Sequence, residues 1–142
     1  MNNVISVRFS AVSQNENFAR AVIAAFASHL NPTLEQLSDI RTAVSEAVTN
    51  AIIHGYEQNP DAFVSMDCSI DDDLLKIRIC DDGCGIPDIE LARKPFYTTR
   101  PELERSGMGF AVMEAFMDRV SVESAPQKGT AVTMEKRIGH VE

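Results

Sequence analysis

Residues 77–87 read Ile-Arg-Ile-Cys-Asp-Asp-Gly-Cys-Gly-Ile-Pro, and this stretch decides how the rest of the chain is arranged. Apolar Leu75, Ile77 and Ile79 alternate with more polar residues, which is the pattern of a strand with one buried face. Asp81 follows directly and is expected at the end of that strand, at the mouth of the core. The glycines after it are typical of a turn, so a turn alone would explain the acidic residue. Three other parts of the sequence favour a functional interpretation.

The composition is that of an ordinary globular protein. The chain has 142 residues, of which 44% are hydrophobic and 24% charged, so we expect one domain spanning residues 1–142. The formal charge of -8 argues against binding to nucleic acid or to an anionic membrane, because both surfaces would repel the protein. The N-terminus has no signal-like pattern and no apolar run reaches membrane-spanning length, so we expect a cytoplasmic protein. Its three cysteines are interpreted as reduced thiols.

Hydrophobic periodicity predicts an α+β sandwich with helices on one face of a mixed, mostly antiparallel sheet. The predicted order is strand, two helices, two strands, loop, helix and two strands. Alternating apolar residues indicate strands near residues 5–9, 64–70, 75–79, 120–122 and 130–137. A capping box at residues 13–16 is expected to open the first helix. Asn31-Pro32-Thr33, followed by Gln36, is expected to start the second helix, which should end at Gly55. A third helix is expected to begin at residues 107–110.

The second predicted helix carries an acid and an amide on one face. Glu46 and Asn50 are four residues apart, so their side chains stack one turn from each other. Ala43 and Ile53 lie on the same side, which is too apolar for a free surface and indicates that something covers it. Although a solvated helix surface is the simpler interpretation, a covered acid and amide suit a general base and a metal ligand.

Two glycine-containing stretches suit the binding of a nucleotide. Gly107 and Gly109 lie where a loop becomes a helix, and free N–H groups at a helix N-terminus attract phosphate oxygens. The sequence lacks a P-loop pattern, and the absence of a preceding strand makes a dinucleotide fingerprint improbable. Gly129 and Thr130 place a hydroxyl at the start of the last strand, which by itself would be only a hairpin turn.

Taken in order, these stretches resemble the boxes of the gyrase, Hsp90, histidine-kinase and MutL ATP-binding superfamily, whose fold is the Bergerat-type sandwich. The boxes that carry the resemblance are Glu46-x3-Asn50, Asp81-x-Gly83-x-Gly85, Gly107-x-Gly109 and Gly129-Thr130. Within the superfamily, the runs at residues 45–51 and 105–110 are most similar to the anti-sigma factor serine kinases. The resemblance spans nearly the whole chain.

The resemblance implies a role for each matching residue. Asp81 would accept a hydrogen bond from the adenine amino group, with Thr130 beside it, and Asn50 would hold Mg2+ against the triphosphate of ATP. Gly83 and Gly85 would let the backbone approach the nucleotide.

The same resemblance assigns the phosphate end of the site and the catalytic residue. Residues 94–106 would form an ATP lid in which Arg105 contacts the γ-phosphate. The backbone amides of Gly107, Met108, Gly109 and Phe110 would face the phosphates. Glu46 would be the general base that takes the proton from an attacking serine hydroxyl.

The partners are also implied by the resemblance alone. The resemblance implies that the protein inhibits a sigma factor, here a sporulation sigma factor, by holding it as an ATP-bound homodimer. It would also phosphorylate a serine of an anti-anti-sigma protein, which is its antagonist.

Two other functions fit parts of the sequence. The chain could be the catalytic fragment of a sensor histidine kinase, with His29 as the phosphoacceptor, although Leu30 stands where an acidic residue is expected. It could also be a non-catalytic binding module in which ATP only shapes a surface for the partner. Glu46 argues against the second possibility, because binding alone needs no aligned base.

Overall fold

The computed structural model describes residues 2–55, 61–81, 109–124 and 129–138. Its elements follow the predicted order: β1 (Asn2–Ser10), α1 (Asn15–Ala27), a 3-10 turn (Ser28–Leu30), α2 (Leu34–Asn50), a π-helical segment (Ala51–Gly55), β2 (Phe63–Asp71), β3 (Leu74–Asp81), α3 (Gly109–Phe116), β4 (Arg119–Ser124) and β5 (Thr130–Arg137). The α+β class is therefore confirmed. The predicted lid at residues 94–106 lies outside the described residues. None of the helices within the described ranges is long and apolar enough to cross a membrane.

The five described strands form one sheet in the order β1-β2-β3-β5-β4. All four pairings are antiparallel, so the parallel part of the expected mixed sheet is not found among these strands. The reason is the position of β5. In the sequence α3 follows β3 and precedes β4, and these two strands run in the same direction. In the sheet, however, β5 lies between them and pairs antiparallel with both.

The helices cover one face of the sheet, as predicted. The alternating residues of β2 and β3 that face them are almost completely buried: Val64, Met66, Cys68, Ile70, Leu75, Ile77 and Ile79. They form one hydrophobic cluster with Ile23 of α1, Val44 and Val48 of α2, and Met113 of α3. The other face of the sheet carries exposed polar side chains such as Arg8 and Lys76. Each strand therefore has one apolar side and one wet side, which is what its alternation in the sequence indicates.

The first two helices begin in different ways. At α2, Thr33 Oγ1 accepts from the Gln36 N–H at 3.0 Å and Gln36 Oε1 accepts from the Thr33 N–H at 2.9 Å, so the helix starts where it was predicted and is opened by a capping box. At α1 the capping residue is Gln14, whose side chain makes no capping bond, so the box predicted at residues 13–16 is wrong. The carboxylate of Glu16 instead accepts hydrogen bonds from two hydroxyls of α2.

The helical path of α2 continues to Gly55, where it was predicted to end, but its last five residues have π geometry. This wider turn begins at Ala51, directly after Asn50. Ala51 and Ile52 are buried, and the segment contacts β3. Since single π turns inside helices often occur at functional sites, the change of geometry after Asn50 marks this end of α2 for closer description.

We expect stability at high pH to depend on Cys68, which is 1% exposed. Burial, with a smaller contribution from the Asp67 charge, raises the pKa of this thiol from 9.0 to about 12. Above pH 9 the unfolded chain loses the Cys68 proton while the folded chain keeps it, so the free energy of unfolding should fall by about 1 kcal/mol per pH unit between pH 9 and 12 from this group. Urea unfolding at several pH values should show a shallower fall for Cys68→Val. Parallel pH profiles for the two proteins would contradict this prediction.

Candidate functional site

Asp81 ends β3 at the edge of the hydrophobic core. It is 7% exposed, and it is the one polar or charged residue classed as buried in the described ranges. Ile77 and Ile79 precede it on the same face of the strand and are at most 2% exposed. The predicted position of this carboxylate, at the end of a strand and at the mouth of the core, is confirmed. Burial of a carboxylate is costly unless polar groups accompany it, so a specific use for it is favoured over a simple turn.

The strand pairing places Thr130 directly opposite Asp81, and Ser124 directly opposite Thr130. Paired residues point to the same face of an antiparallel sheet, so these three side chains form a line across β4, β5 and β3, which we call the polar row. Ser124 and Thr130 are half-buried, and their hydroxyl oxygens are 2.9 Å apart. The polar row therefore lies on the face of the sheet that the helices cover.

Behind the polar row, the same face of the sheet is apolar. The next line of paired residues is Val122, Val132 and Ile79, and the line after it is Val120, Met134 and Ile77. The core thus stops at the polar row, which presents two hydroxyls and a carboxylate at its end. Such a boundary can hold a flat heterocycle by an apolar face and select its polar edge.

Glu46 and Asn50 lie on α2 as the sequence predicted, one turn apart and both half-buried. Asn50 is the last residue of α2, and the π-helical segment that follows it contacts β3. The amide is therefore placed directly before a segment that contacts the strand ending in Asp81. The predicted covering of this side of α2 is also found, since Ala43 and Ile53 are both buried.

Glu46 also borders an open groove between α1 and α2. The groove has a volume of about 800 Å³, and its charged residues are Glu16 and Arg20 from α1 and Arg41 and Glu46 from α2. Ser45 and Thr42 contribute hydroxyls to the same surface. A carboxylate at this position can be reached by a group that approaches from outside the protein.

The first residues of α3 complete the described part of the site. Gly109 begins this helix, and both Gly109 and Phe110 are buried. α3 packs against α2, and Met113, one turn further on, is 0% exposed. The N-terminus of α3 is thereby held next to the helix that carries Glu46 and Asn50. The other predicted site residues lie outside the described residues: Gly83, Gly85, Arg105, Gly107 and Met108.

Two contributors to this region were missed by the sequence interpretation. Glu16 was read as a capping residue, but its carboxylate accepts from Ser45 Oγ at 2.6 Å and from Thr49 Oγ1 at 3.1 Å. Ser124 belongs to no motif, and only the pairing of β4 with β5 brings it to Thr130. The spacing of Ser45 and Thr49, four residues apart on one side of α2, was the signal that could have indicated a shared partner.

Comparison with known proteins agrees with this architecture. Residues 9–136 match the family described as histidine kinase-like ATPase domain. The anti-sigma F factors of Geobacillus kaustophilus, Oceanobacillus iheyensis and Bacillus subtilis are 55%, 54% and 51% identical to this chain over 138 residues. Each alignment covers 97% of this chain and 94% of the relative. The chain therefore belongs to the histidine kinase-like ATPase domain family and, within it, to the anti-sigma F factors.

The fold is also similar to that of a solved structure. A crystal structure of the RsbU and RsbW domains of a Mycobacterium tuberculosis protein matches with a TM-score of 0.67 and 17% sequence identity. The match covers 96% of this chain but 32% of that longer chain. At this identity the similarity supports the fold alone, and it agrees with the antiparallel sheet and helical layer described above.

We expect Glu16→Ala to lower the free energy of unfolding by about 1–2 kcal/mol, because it leaves the half-buried hydroxyls of Ser45 and Thr49 without their charged acceptor. The exposed Glu35, in the first turn of α2, provides the control, and Glu35→Ala should cost less than about 1 kcal/mol. Urea denaturation measures both variants. An equal loss in the two would mean that Glu16 does not tie α1 to α2.

Proposed function

We propose that this protein binds ATP and Mg2+, inhibits a sporulation sigma factor in an ATP-dependent manner, and phosphorylates a serine of its anti-anti-sigma antagonist. The observation that carries the proposal is the buried carboxylate of Asp81 beside Thr130, at the point where the core ends. Membership of the anti-sigma F factors supports the sigma factor as the partner, since that is what the name of these relatives says they act against.

In this proposal Asp81 selects adenine. A carboxylate can accept a hydrogen bond from the 6-amino group of adenine, whereas guanine has a carbonyl there and offers no donor to the carboxylate. The apolar line of Val122, Val132 and Ile79 behind the polar row would contact the face of the base. Thr130 would add a second polar atom at the same edge.

The triphosphate would extend from the polar row towards α2 and α3. Asn50 supplies a side-chain oxygen, which is the kind of ligand Mg2+ accepts, and Mg2+ commonly combines one or two protein oxygens with phosphate oxygens and water. When bound, Mg2+ neutralises part of the phosphate charge. The N–H groups at the start of α3, from Gly109 and Phe110, would face the phosphates with the positive end of the helix dipole. Predicted contacts from Gly83, Gly85, Arg105, Gly107 and Met108 belong to the same proposal.

Glu46 would act as the general base. It would take the proton of the incoming serine hydroxyl while the serine oxygen bonds to the γ-phosphorus and the bond from that phosphorus to ADP breaks. Its position on the rim of the groove between α1 and α2 supports this role, because a protein segment can enter there. Arg20, Arg41 and Glu16 would then contact the entering segment.

The assembly is part of the proposal. We expect a cytoplasmic homodimer, as the family resemblance implies, that holds one sigma factor when ATP is bound and does not bind nucleic acid or membrane directly. Sedimentation of the purified protein with ATP, with and without the sigma factor, measures the stoichiometry. A monomer in both samples would contradict the dimer.

We expect Glu46→Gln to reduce phosphorylation of the antagonist's serine by about 100-fold or more, which is the usual contribution of a general base. ATP affinity should change by less than about twofold, because the carboxylate acts on the incoming hydroxyl and not on the nucleotide. Glu35→Gln, an exposed change on the same helix, should leave both quantities unchanged. Transfer of labelled phosphate to the antagonist is the measurement, and normal transfer by Glu46→Gln would refute the assignment.

We expect Asp81→Asn to weaken ATP binding by roughly 10- to 100-fold, because a charge-assisted hydrogen bond to the adenine amino group is lost. Asp67→Asn is the matched control, since Asp67 lies on β2 on the face away from the helices and bonds to Ser6. Calorimetric titration with ATP compares the proteins. Equal affinity of wild-type protein and Asp81→Asn would contradict the proposed adenine contact.

One labelling experiment separates the proposal from its alternatives. The protein is incubated with γ-labelled ATP and the anti-anti-sigma protein, and the labelled residue is identified. Phosphoserine on the antagonist supports the kinase. Phosphohistidine on the protein itself would indicate a sensor-kinase fragment, and its site would be the exposed His29 in the turn after α1. Nucleotide-dependent binding with no label on either protein would indicate a gated binding module.

A further inference from the structure

We propose that Ser124 is a positioning residue that fixes the direction of the Thr130 hydroxyl and thereby strengthens the choice of a 6-amino purine over a 6-oxo purine. Ser124 lies on β4, at the end of the polar row furthest from Asp81. It would act through Thr130 and would not touch the base. This inference rests on the proposed contact of Asp81 and Thr130 with adenine.

The argument begins with the number of protons. Ser124 Oγ donates to the Gly129 carbonyl oxygen at 2.9 Å, and Ser124 Oγ also lies 2.9 Å from Thr130 Oγ1. A hydroxyl has one proton to donate, so when the Ser124 proton is given to Gly129, the second bond must use the proton of Thr130. Thr130 is then the donor to Ser124, and its proton points away from Asp81 along the polar row.

The side of the Thr130 hydroxyl that faces the proposed adenine site therefore carries only lone pairs. Asp81, when ionised, is also only an acceptor. Two acceptors side by side suit a donor such as the 6-amino group of adenine, or a water molecule that gives both of its protons to them. A 6-oxo group is an acceptor itself, and Thr130 cannot turn its proton towards that group without breaking the bond to Ser124.

The backbone holds this arrangement in place. Gly129, whose carbonyl anchors Ser124, has φ of 84°, a left-handed conformation that favours glycine. Ser124 is the last residue of β4 and Thr130 the first of β5, so the two hydroxyls close the hairpin between these strands. With its hydroxyl bonded to Ser124, and Ser124 bonded to the Gly129 carbonyl, Thr130 has one preferred direction for its proton.

The test compares binding of ATP with binding of inosine triphosphate, which has an oxo group in place of the 6-amino group. In Ser124→Ala the Thr130 proton is released and can be donated to the 6-oxo group. We expect the preference for ATP, measured as the Kd for inosine triphosphate divided by the Kd for ATP, to fall by roughly three- to tenfold. This is the usual contribution of one neutral hydrogen bond. Ser121→Ala, on the same strand and paired with Thr133, is the control and should keep the wild-type ratio.

A second background separates positioning from a structural effect of the hairpin. In Thr130→Val there is no hydroxyl to orient, so adding Ser124→Ala should change the ratio by less than about twofold. Ser124→Thr restores a hydroxyl and should recover the wild-type preference. If Ser124→Ala does not fold, Ser124→Cys, which keeps the shape but accepts hydrogen bonds weakly, takes its place.

The outcomes distinguish this inference from the proposed function. If Asp81→Asn changes the preference for ATP while Ser124→Ala does not, the role of Ser124 is refuted and the adenine contact stands. The same refutation follows if Ser124→Ala has an equal effect with Thr130 and with Val at that position. If wild-type protein binds both nucleotides equally and Asp81→Asn alters neither, the proposed adenine contact itself is refuted.

Discussion

The antiparallel pairing of β3 with β5 is the constraint on which the site depends. It sets Asp81 opposite Thr130 and, through the next pairing, Thr130 opposite Ser124. A shift of one residue in this register would turn Thr130 to the wet face of the sheet and bring Ala131 opposite the carboxylate, because side chains alternate between faces. The apolar lines behind the polar row prevent such a shift, since it would expose Val132 and Met134. The hydrophobic core therefore fixes the chemistry at its own edge.

Helix α2 connects that edge to the outer surface. Its buried side, with Val44 and Val48, holds it on the core, while Ser45 and Thr49 are tied to α1 by Glu16. Glu46 therefore lies between the core and a groove that opens to the protein surface. In the proposed function this helix would connect the nucleotide site with the protein partner, because it carries Asn50 at one end and lines the groove along its length.

Much of the fold and of the described site could be predicted from the sequence. The physical reason why a feature could or could not be predicted differs from one element to the next. Strand alternation is a local consequence of burying one face, so the positions of β2, β3 and Asp81 could be predicted from the sequence. The start of α2 at Thr33 could be predicted because the hydrogen bonds that open this helix lie within four residues. The predicted box at residues 13–16 is wrong because the Glu16 carboxylate accepts from two hydroxyls of the neighbouring helix, and the composition of one segment does not reveal its neighbour. The described strands pair only in the antiparallel direction, which was not predicted, because the insertion of β5 between β3 and β4 is a property of topology.

By itself, the sequence determined which segments are helices and strands, which side of each is apolar, and which polar residues stand at their ends, because these follow from interactions between near neighbours. Tertiary structure alone decided that Ser124 bonds to Thr130, that Glu16 reaches α2, and that α2 ends in a π-helical segment against β3. These contacts join residues that strand register and helix packing bring together. No local pattern encodes them, because the free energy that selects them comes from burial of the whole core.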